Sequence, residues 1–180
     1  PSEYALKVNA QGLARYAALC QEAKIVPIVE PEVLMDGGHT MERCFEVTEH
    51  TLRTVFAELY AQNVVLENIL LKPNMVISGT KCGTQADVAT VATETLRCLK
   101  RAVPAAVPGV VFLSGGQSDE LATAHLNHMN QQGPLPWLLS FSYGRALQAP
   151  ALKAWGGKTE NVATAQAALM KRARLNSVAC

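Results

Sequence analysis

The chain has 180 residues, of which 49% are hydrophobic, and its 16 basic and 15 acidic residues leave a formal net charge of +1. This composition predicts one folded domain with a hydrophobic core and argues against disorder. Nucleic acid is an unfavoured partner, because no basic block or aromatic-basic interleaving is present. No apolar run reaches the roughly 18 residues of a membrane span, and the N-terminus lacks the layout of a signal peptide. We therefore expect a soluble chain that does not contact a membrane.

The five cysteines are odd in number and scattered, and no pair forms a C-x-x-C motif. This pattern favours neither a disulfide framework nor a structural zinc site. Free cysteines are typical of a reducing compartment, so we expect a cytoplasmic protein without a bound metal.

Four short apolar runs predict β-strands at residues 24–29, 69–71, 109–113 and 137–141. Each run is nearly continuous rather than alternating, which is typical of strands covered on both faces in a parallel sheet. Elsewhere, apolar residues recur every three or four positions and predict helices with one buried face. The three stripes comprise Leu52, Val55, Phe56 and Leu59; Val88, Val91, Ala92, Leu96 and Leu99; and Val162, Ala165, Leu169, Met170 and Ala173. The second helix is expected to begin with a capping box at residues 84–87, and the last to span residues 161–176.

The repeated alternation of strand and helix predicts an α/β fold built on a parallel sheet. Polar residues follow three of the predicted strands at equal intervals, at Glu30, Lys72 and Ser114, which suggests one βα unit per step. In a (β/α)8 TIM barrel the chemistry gathers at this rim, but such a barrel usually needs about 250 residues and eight strands. We therefore expect residues 1–180 to form the C-terminal half of a single (β/α)8 barrel domain, with about the last four βα units.

Lys72 is the first candidate for chemistry, because it ends an apolar run and is followed by Pro73. Proline biases the preceding residue toward extended backbone angles, so the strand is expected to continue to Lys72. A lysine at the mouth of a barrel loses hydration, which favours the neutral amine that can attack a ketone and form a Schiff base. The alternative is a lysine that extends to solvent at a strand end.

Glu30 and Glu32 follow the first apolar run, on either side of Pro31. Alternate residues of an extended segment point the same way, so both carboxylates are expected to face the barrel mouth. Formation of a carbinolamine from an amine and a ketone needs such a group to transfer protons. The alternative is an acidic loop in contact with solvent.

Two glycine-containing segments are candidates for binding phosphate. Ser114, Gly115 and Gly116 precede a predicted helix, whose N-terminus adds partial positive charge, and glycines let backbone N–H groups approach an anion closely. Gly144 and Arg145 follow the last strand, and arginine binds phosphate in a fork. In (β/α)8 enzymes the phosphate site frequently follows strands 7 and 8, which would make these strands the fifth to eighth. A simple turn is the alternative for the glycine pair.

Other polar clusters are expected to be structural. His125 and His128 lie three residues apart but have no acidic or cysteine ligand nearby in sequence, so we expect an exposed helix surface rather than a metal site. The basic cluster at residues 171–174 is expected to be a solvated last helical turn.

Five motifs together make the chain resemble the class I fructose-bisphosphate aldolases. VPIVEPEVL, LLKPNMV, FLSGGQS, SFSYGRALQ and ALKAWGGK occur in the order and at the spacing of that family, from about Gly12 to Cys180. The resemblance is to the C-terminal half of an enzyme that folds as a (β/α)8 barrel, assembles as a tetramer and cleaves fructose 1,6-bisphosphate in glycolysis. It implies a cytoplasmic lyase that uses a covalent lysine Schiff base and no other cofactor.

The resemblance also implies a role for each site residue. Lys72 would form the iminium with the ketone, Glu30 would assist loss of water from the carbinolamine, and Glu32 would be its neighbour in the site. The substrate phosphates would be bound by two segments, which comprise Ser114, Gly115 and Gly116, and Ser142, Tyr143, Gly144 and Arg145.

Parts of the family's site have no counterpart in the 180 residues. The family's aspartate and further lysines come from the first half of the barrel, and its C-terminal tail ends in a tyrosine that helps proton transfer; we expect both parts to be absent here. A half-barrel would leave two sheet edges unpaired. The alternative function is therefore a truncated, non-catalytic half-barrel that acts by association with a partner chain. A metal-dependent aldolase is disfavoured, because no ligand set with the required spacing occurs.

Overall fold

Strands and helices alternate along the chain as far as the last two helices, which follow one another. A computed structural model describes all residues from Pro1 to Cys180. The helices are α1 (Glu3–Glu22), α2 (Met41–Ala61), α3 (Val88–Ala102), α4 (Asp119–Asn130), α5 (Arg145–Trp155) and α6 (Val162–Val178), and the strands are β1 (Ile28–Val29), β2 (Leu70–Leu71), β3 (Gly109–Phe112) and β4 (Leu138–Phe141). Short 3-10 turns cover Leu66–Asn68 and Thr159–Asn161. None of these helices combines the length and the apolarity that crossing a bilayer requires.

The strands form one four-stranded parallel sheet in chain order, so the predicted parallel arrangement is confirmed. Gly109 of β3 is paired with Leu70 of β2 on one side and with Leu138 of β4 on the other. Backbone pairing continues past the ends of β1 and β2, where the Lys72 N–H donates to the Val29 carbonyl at 2.8 Å. The carboxyl ends of the strands therefore lie side by side at one end of the sheet.

The inner and outer strands differ in how fully they are covered. Leu71 in β2 and Phe112 in β3 are completely buried, whereas Ile28 in β1 is 42% exposed and Leu138 in β4 is 81% exposed. The prediction that every strand is covered on both faces is therefore wrong for β1 and β4, the two edge strands, because nothing packs over the face that carries Ile28 or Leu138. The first strand is also shorter than predicted: Lys24 has a left-handed φ of 59° and cannot belong to an extended run, and β1 contains only Ile28 and Val29.

The predicted helices in α2 and α3 are confirmed, with one correction at the start of α3. Leu52 and Leu59 of the first predicted stripe are buried in α2, and Leu96 of the second is buried in α3. The prediction that a capping box at residues 84–87 begins this helix is wrong in its position. The N-cap is Asp87, whose carboxylate accepts a hydrogen bond from the Thr90 N–H at 2.7 Å.

The last helix buries a different face from the one that its apolar residues predict. Val162 and Met170 of the predicted stripe are 40% and 67% exposed, whereas Arg172 and Asn176 are buried. The expectation of a solvated basic turn is therefore wrong for Arg172. Local periodicity fails here because polar contacts with α4 and α5 decide the orientation of α6.

Arg172 makes those polar contacts. Its guanidinium donates to the carbonyl of Ala146 at 2.8 Å, to the carbonyl of Asp119 at 2.7 Å and to the hydroxyl of Thr123 at 2.8 Å. Asp119 and Thr123 belong to α4 and Ala146 to α5. One buried side chain thus joins three helices.

Replacing Arg172 with alanine is expected to lower the free energy of unfolding by about 2 kcal/mol, because buried acceptors lose a charged donor. Urea unfolding followed by circular dichroism measures this change. Lys171→Ala is the matched control, since it removes a positive charge from the adjacent exposed position and is expected to cost less than about 0.5 kcal/mol. Equal unfolding midpoints for the two variants would contradict the anchoring role of Arg172.

Candidate active site

Lys72 and Glu30 meet at the carboxyl end of the sheet. They directly follow β2 and β1, whose last residues, Leu71 and Val29, are paired. The Lys72 Nζ lies 3.1 Å from Glu30 Oε1, and the two side chains are 19% and 42% exposed. A lysine amine held against a carboxylate can exchange protons with it, and this is an arrangement that covalent catalysis by an amine can use.

Glu32 lies close to this pair but does not join it. Pro31 is buried between two exposed glutamates, which agrees with the alternation of an extended segment. Both glutamates line a cavity of about 890 Å³ between α1, the loop after β1 and α2. Only Glu30 forms a salt bridge with Lys72, and Lys72 does not line the cavity. The cavity and the lysine–carboxylate pair therefore share Glu30 alone.

Asn74 supports the pair, and sequence reasoning missed it. Its side chain is buried, its carbonyl oxygen accepts a hydrogen bond from the Val33 N–H at 3.0 Å, and its amide donates to the Thr48 hydroxyl at 3.0 Å. Asn74 thereby fastens the segment that carries Lys72 to the loop that carries Glu30. No local pattern reveals this role, because both partners are distant in sequence.

The turn formed by Ser114, Gly115 and Gly116 follows β3 and has free backbone donors. The N–H groups of Ser114 and Gly115 have no acceptor within the protein, whereas the Gly116 N–H donates to Met35 Sδ at 2.8 Å. Gly115 has a φ of 56°, and a Cβ at this position would overlap the Met35 methyl group, so both conformation and space favour glycine. Adjacent free amides before a helix are suited to binding an anion.

His125 lies beneath this turn, so the expectation of an exposed surface is wrong for this residue. Its side chain is buried in α4, and its Nδ1 lies 2.7 Å from Gln117 Oε1. Burial, with a smaller effect of nearby His128, lowers the pKa of His125 to about 4, so the imidazole is neutral at pH 7. The buried residues Ala122 and Met129 share this helix face, and their spacing from His125 was the signal that could have revealed it.

Acidification is expected to destabilise the chain through His125. Its pKa is about 4 in the folded chain against an ordinary value of 6.5, so the unfolded chain takes up the proton first as the pH falls. The loss of stability begins near pH 6.5, grows toward pH 4 and reaches about 3 kcal/mol. His125→Asn removes this titration, and urea unfolding at about pH 7 and pH 4.5 measures the difference. If the variant lost as much stability as the unsubstituted chain, His125 would not be the cause.

The segment after β4 presents a second set of donors. The Ser142 N–H is used in the sheet, where it donates to the Phe112 carbonyl at 2.9 Å, but the N–H groups of Tyr143 and Gly144 have no acceptor. Gly144 is the N-cap of α5, and no side chain caps that helix. Arg145 is exposed and forms no salt bridge. An open helix N-terminus beside an unpaired arginine is suited to a phosphate group.

The side chain of Tyr143 faces away from this surface. It is 3% exposed, and its hydroxyl donates to the Ala122 carbonyl at 2.8 Å, which holds the segment after β4 against α4. Burial raises the pKa of the phenol, so it stays protonated and keeps this hydrogen bond. Only the backbone of Tyr143 is placed to contact an anion.

The four candidate segments follow the four strands in turn. Glu30 follows β1, Lys72 follows β2, Ser114 comes just after β3, and Arg145 comes just after β4. Polar groups at the carboxyl ends of parallel strands, with turns that present unpaired N–H groups after the last two, are the arrangement found at the active sites of (β/α)8 enzymes.

Comparison with known proteins agrees with this class. The family model described as fructose-bisphosphate aldolase class-I matches residues 1–180, which includes the residues before Gly12. The chain is 59% identical over 180 residues to a probable fructose-bisphosphate aldolase class 1 of Xanthomonas campestris pv. campestris, with 99% of this chain and 54% of the relative covered. It is 57% identical to the cytosolic fructose-bisphosphate aldolase 4 of Arabidopsis thaliana, with 99% of this chain and 46% of the relative covered. The chain therefore belongs to the class I fructose-bisphosphate aldolase family.

A solved structure of the same family matches the fold. Fructose-bisphosphate aldolase of Plasmodium falciparum, in complex with TRAP and a small-molecule inhibitor, superposes with a TM-score of 0.97 and 52% sequence identity. The match covers 99% of this chain and 52% of that one, so the chain spans about half the length of the relatives it matches. The predicted fold class is confirmed: the chain is a partial (β/α)8 barrel of about four βα units.

Proposed function

We propose that the chain carries the Schiff-base site for the reversible cleavage of fructose 1,6-bisphosphate to dihydroxyacetone phosphate and glyceraldehyde 3-phosphate. The observation that carries this proposal is the 3.1 Å contact between Lys72 and Glu30 at the carboxyl end of the sheet. The names of the relatives support the substrate.

In the proposed mechanism Lys72 first gives a proton to Glu30, and the neutral amine then attacks the substrate ketone. Glu30 gives its proton to the carbonyl oxygen and takes one from the nitrogen, which forms the carbinolamine. The protonated Glu30 then gives this proton to the departing hydroxyl, so water leaves and an iminium forms beside an ionised Glu30. The iminium withdraws electrons while the C3–C4 bond breaks and the C4 hydroxyl gives its proton to the ionised Glu30, which releases glyceraldehyde 3-phosphate and leaves an enamine. Protonation of the enamine carbon and hydrolysis then free dihydroxyacetone phosphate and restore Lys72. Glu32 is proposed to add negative charge beside Glu30.

The phosphate groups of the substrate are proposed to bind at the two turns. The free amides of Ser114 and Gly115 and the Ser114 hydroxyl would hold one phosphate, and Gly116, whose N–H donates to Met35, would contribute by having no side chain in the way. Arg145 and the amides of Tyr143 and Gly144 would contribute charge and donors from the next strand, beside Ser142. A phosphate bound at the Ser114–Gly116 turn, which follows β3, would place the ketone of the substrate over Lys72, which follows the adjoining strand β2.

Further features of the family are proposed for this chain. Residues 1–180 would be half of a single barrel domain, assembled in a homo-oligomer, with a tetramer as the expected form. The cytosol is the proposed compartment, since relatives from Arabidopsis thaliana and Pisum sativum are named as cytosolic or cytoplasmic forms. The lysine chemistry needs no metal, and no group of three or more His, Cys, Asp and Glu side chains is arranged to hold one.

The test is a cleavage assay in two settings. Release of triose phosphates from fructose 1,6-bisphosphate is measured with the chain alone, and with a chimera in which it replaces the matching residues of the Arabidopsis thaliana relative. We expect activity that survives a chelator such as EDTA. Absence of activity in both settings would contradict the proposal.

A non-catalytic chain that works by association with a partner is the second candidate. It is favoured by the exposure of Ile28 and Leu138 on the two outer strands. Activity in the chimera but not in the chain alone would support this candidate for the isolated chain, whereas activity in both would exclude it.

A further inference from the structure

The side-chain amide of Gln117 holds the Ser114–Gly116 turn from beneath. Its Nε2 donates to the Ser114 carbonyl at 3.2 Å, and the Gln117 backbone N–H donates to the same oxygen at 3.2 Å. Its Oε1 lies 2.7 Å from Nδ1 of the buried His125. One carbonyl of the turn is therefore held by two donors of a single residue, and that residue is itself held by a helix.

The direction of each hydrogen bond in this chain is fixed. A carbonyl oxygen only accepts, so the Nε2 of Gln117 must face Ser114 and its Oε1 must face His125. The Nδ1 of His125 must then carry the hydrogen that it donates to Gln117. With its Nδ1 protonated, His125 matches only this orientation of the Gln117 amide, and in this orientation Gln117 holds the Ser114 carbonyl.

This orientation matters because the Ser114 carbonyl and the Gly115 N–H belong to one planar peptide. In a trans peptide these two groups point in opposite directions. When Gln117 holds the carbonyl toward α4, the Gly115 N–H must point the other way, and it has no acceptor within the protein. The Gly115 N–H, one of the two unpaired donors of the turn, is therefore oriented by residues that lie behind it.

We propose that Gln117 and His125 are positioning residues, which turn the Ser114–Gly115 peptide so that its N–H donates to the phosphate of the substrate. The inference rests on the proposed function, since it assumes a phosphorylated ketone at Lys72. It assigns a role to a buried histidine whose hydrogen bond reaches the turn through Gln117.

The test compares two ketones that differ only in the phosphate. Adducts on Lys72 are trapped with borohydride over a range of dihydroxyacetone phosphate or dihydroxyacetone concentrations, with the chain and with the chimera. For Gln117→Met and for His125→Leu, we expect the half-saturating concentration of dihydroxyacetone phosphate to rise about tenfold, as for loss of one hydrogen bond to a charged group. The half-saturating concentration of dihydroxyacetone should not change. Because the two residues act in series, the double variant should be no worse than Gln117→Met.

Matched controls separate positioning from damage to the fold. His128→Leu alters the neighbouring histidine of α4, which has no hydrogen bond to the turn. It should leave the half-saturating concentrations of both ketones unchanged. A variant is used in the test only when its circular dichroism melting curve matches that of the unsubstituted chain. One of the two variants, Gln117→Met or His125→Leu, is enough for the test. Equal losses for both ketones, or no loss for the phosphorylated one, would overturn the inference.

A second readout does not depend on Lys72. Inorganic phosphate is titrated into the ¹⁵N-labelled chain, and the amide resonance of Gly115 is followed. A saturable shift of the Gly115 resonance that is weaker in Gln117→Met and in His125→Leu supports the inference, even when no Lys72 adduct forms. The absence of an adduct would contradict only the Schiff-base proposal. A Gly115 resonance that responds equally in all variants would overturn the positioning role.

Discussion

Replacement of Lys72 by arginine is expected to abolish the borohydride-trapped adduct and to lower the rate of fructose 1,6-bisphosphate cleavage by at least about a thousandfold. Arginine retains the positive charge and the contact with Glu30, but its guanidinium is not deprotonated in proteins and does not attack a ketone. The covalent route would thus be closed while the local ion pair is kept. Cleavage is measured by release of triose phosphates, in the chimera and in the chain alone.

Lys81→Arg is the control for this experiment. Lys81 is exposed in the loop before α3, and its backbone N–H, which the substitution retains, donates to the Gly37 carbonyl at 2.8 Å. We expect its activity to match that of the unsubstituted protein. Cleavage by Lys72→Arg at more than about a tenth of the normal rate would show that Lys72 is not the nucleophile.

Replacement of Glu30 by glutamine is expected to slow adduct formation by about a hundredfold to a thousandfold, with little change in the affinity for the ketone. Glutamine can accept a hydrogen bond from Lys72, but it cannot take up and return the proton that carbinolamine formation and dehydration require. Single-turnover trapping at saturating dihydroxyacetone phosphate measures this rate directly.

Glu67→Gln provides the comparison for Glu30. Glu67 is an exposed carboxylate in the turn before β2, on the same strand connection but away from the carboxyl end of the sheet. Its loss should leave the rate unchanged. A normal trapping rate in Glu30→Gln would mean that another group, such as Glu32, moves the proton.

The sheet was predictable from the sequence because buried parallel strands produce short, nearly continuous apolar runs. Runs such as residues 109–113 are apolar at nearly every position, and they become β3 and its flanks. This pattern does not show which apolar residues are buried. Ile28 and Leu138 are apolar, but they lie on the outer strands and are exposed. Composition reports which side chains are apolar, but it does not report what covers them.

The positions of the principal chemical groups were also predictable, since they follow strand ends. Lys72 and Glu30 lie after neighbouring strands, and the parallel register brings them to 3.1 Å. The supports of the site were not predictable. Asn74, Met35 and Gln117 act through partners from other loops or helices, so no local spacing identifies them.

Arg172 and His125 illustrate the opposite error, in which a polar residue is read as a surface residue. Each is buried, and each is compensated by specific hydrogen bonds. Polar side chains enter a core when their donors and acceptors are satisfied there. Whether that condition is met depends on the tertiary structure, which the local sequence does not specify.

The most direct test of the Schiff-base site is to locate the covalent adduct. The chain and the chimera are incubated with dihydroxyacetone phosphate, reduced with sodium borohydride, digested and analysed by peptide mass spectrometry. We predict a single modified residue, Lys72, in the peptide that contains Pro73 and Asn74, and no such adduct in Lys72→Arg. Modification of other lysines in place of Lys72, or no adduct in either protein, would contradict the assignment of Lys72 as the catalytic amine.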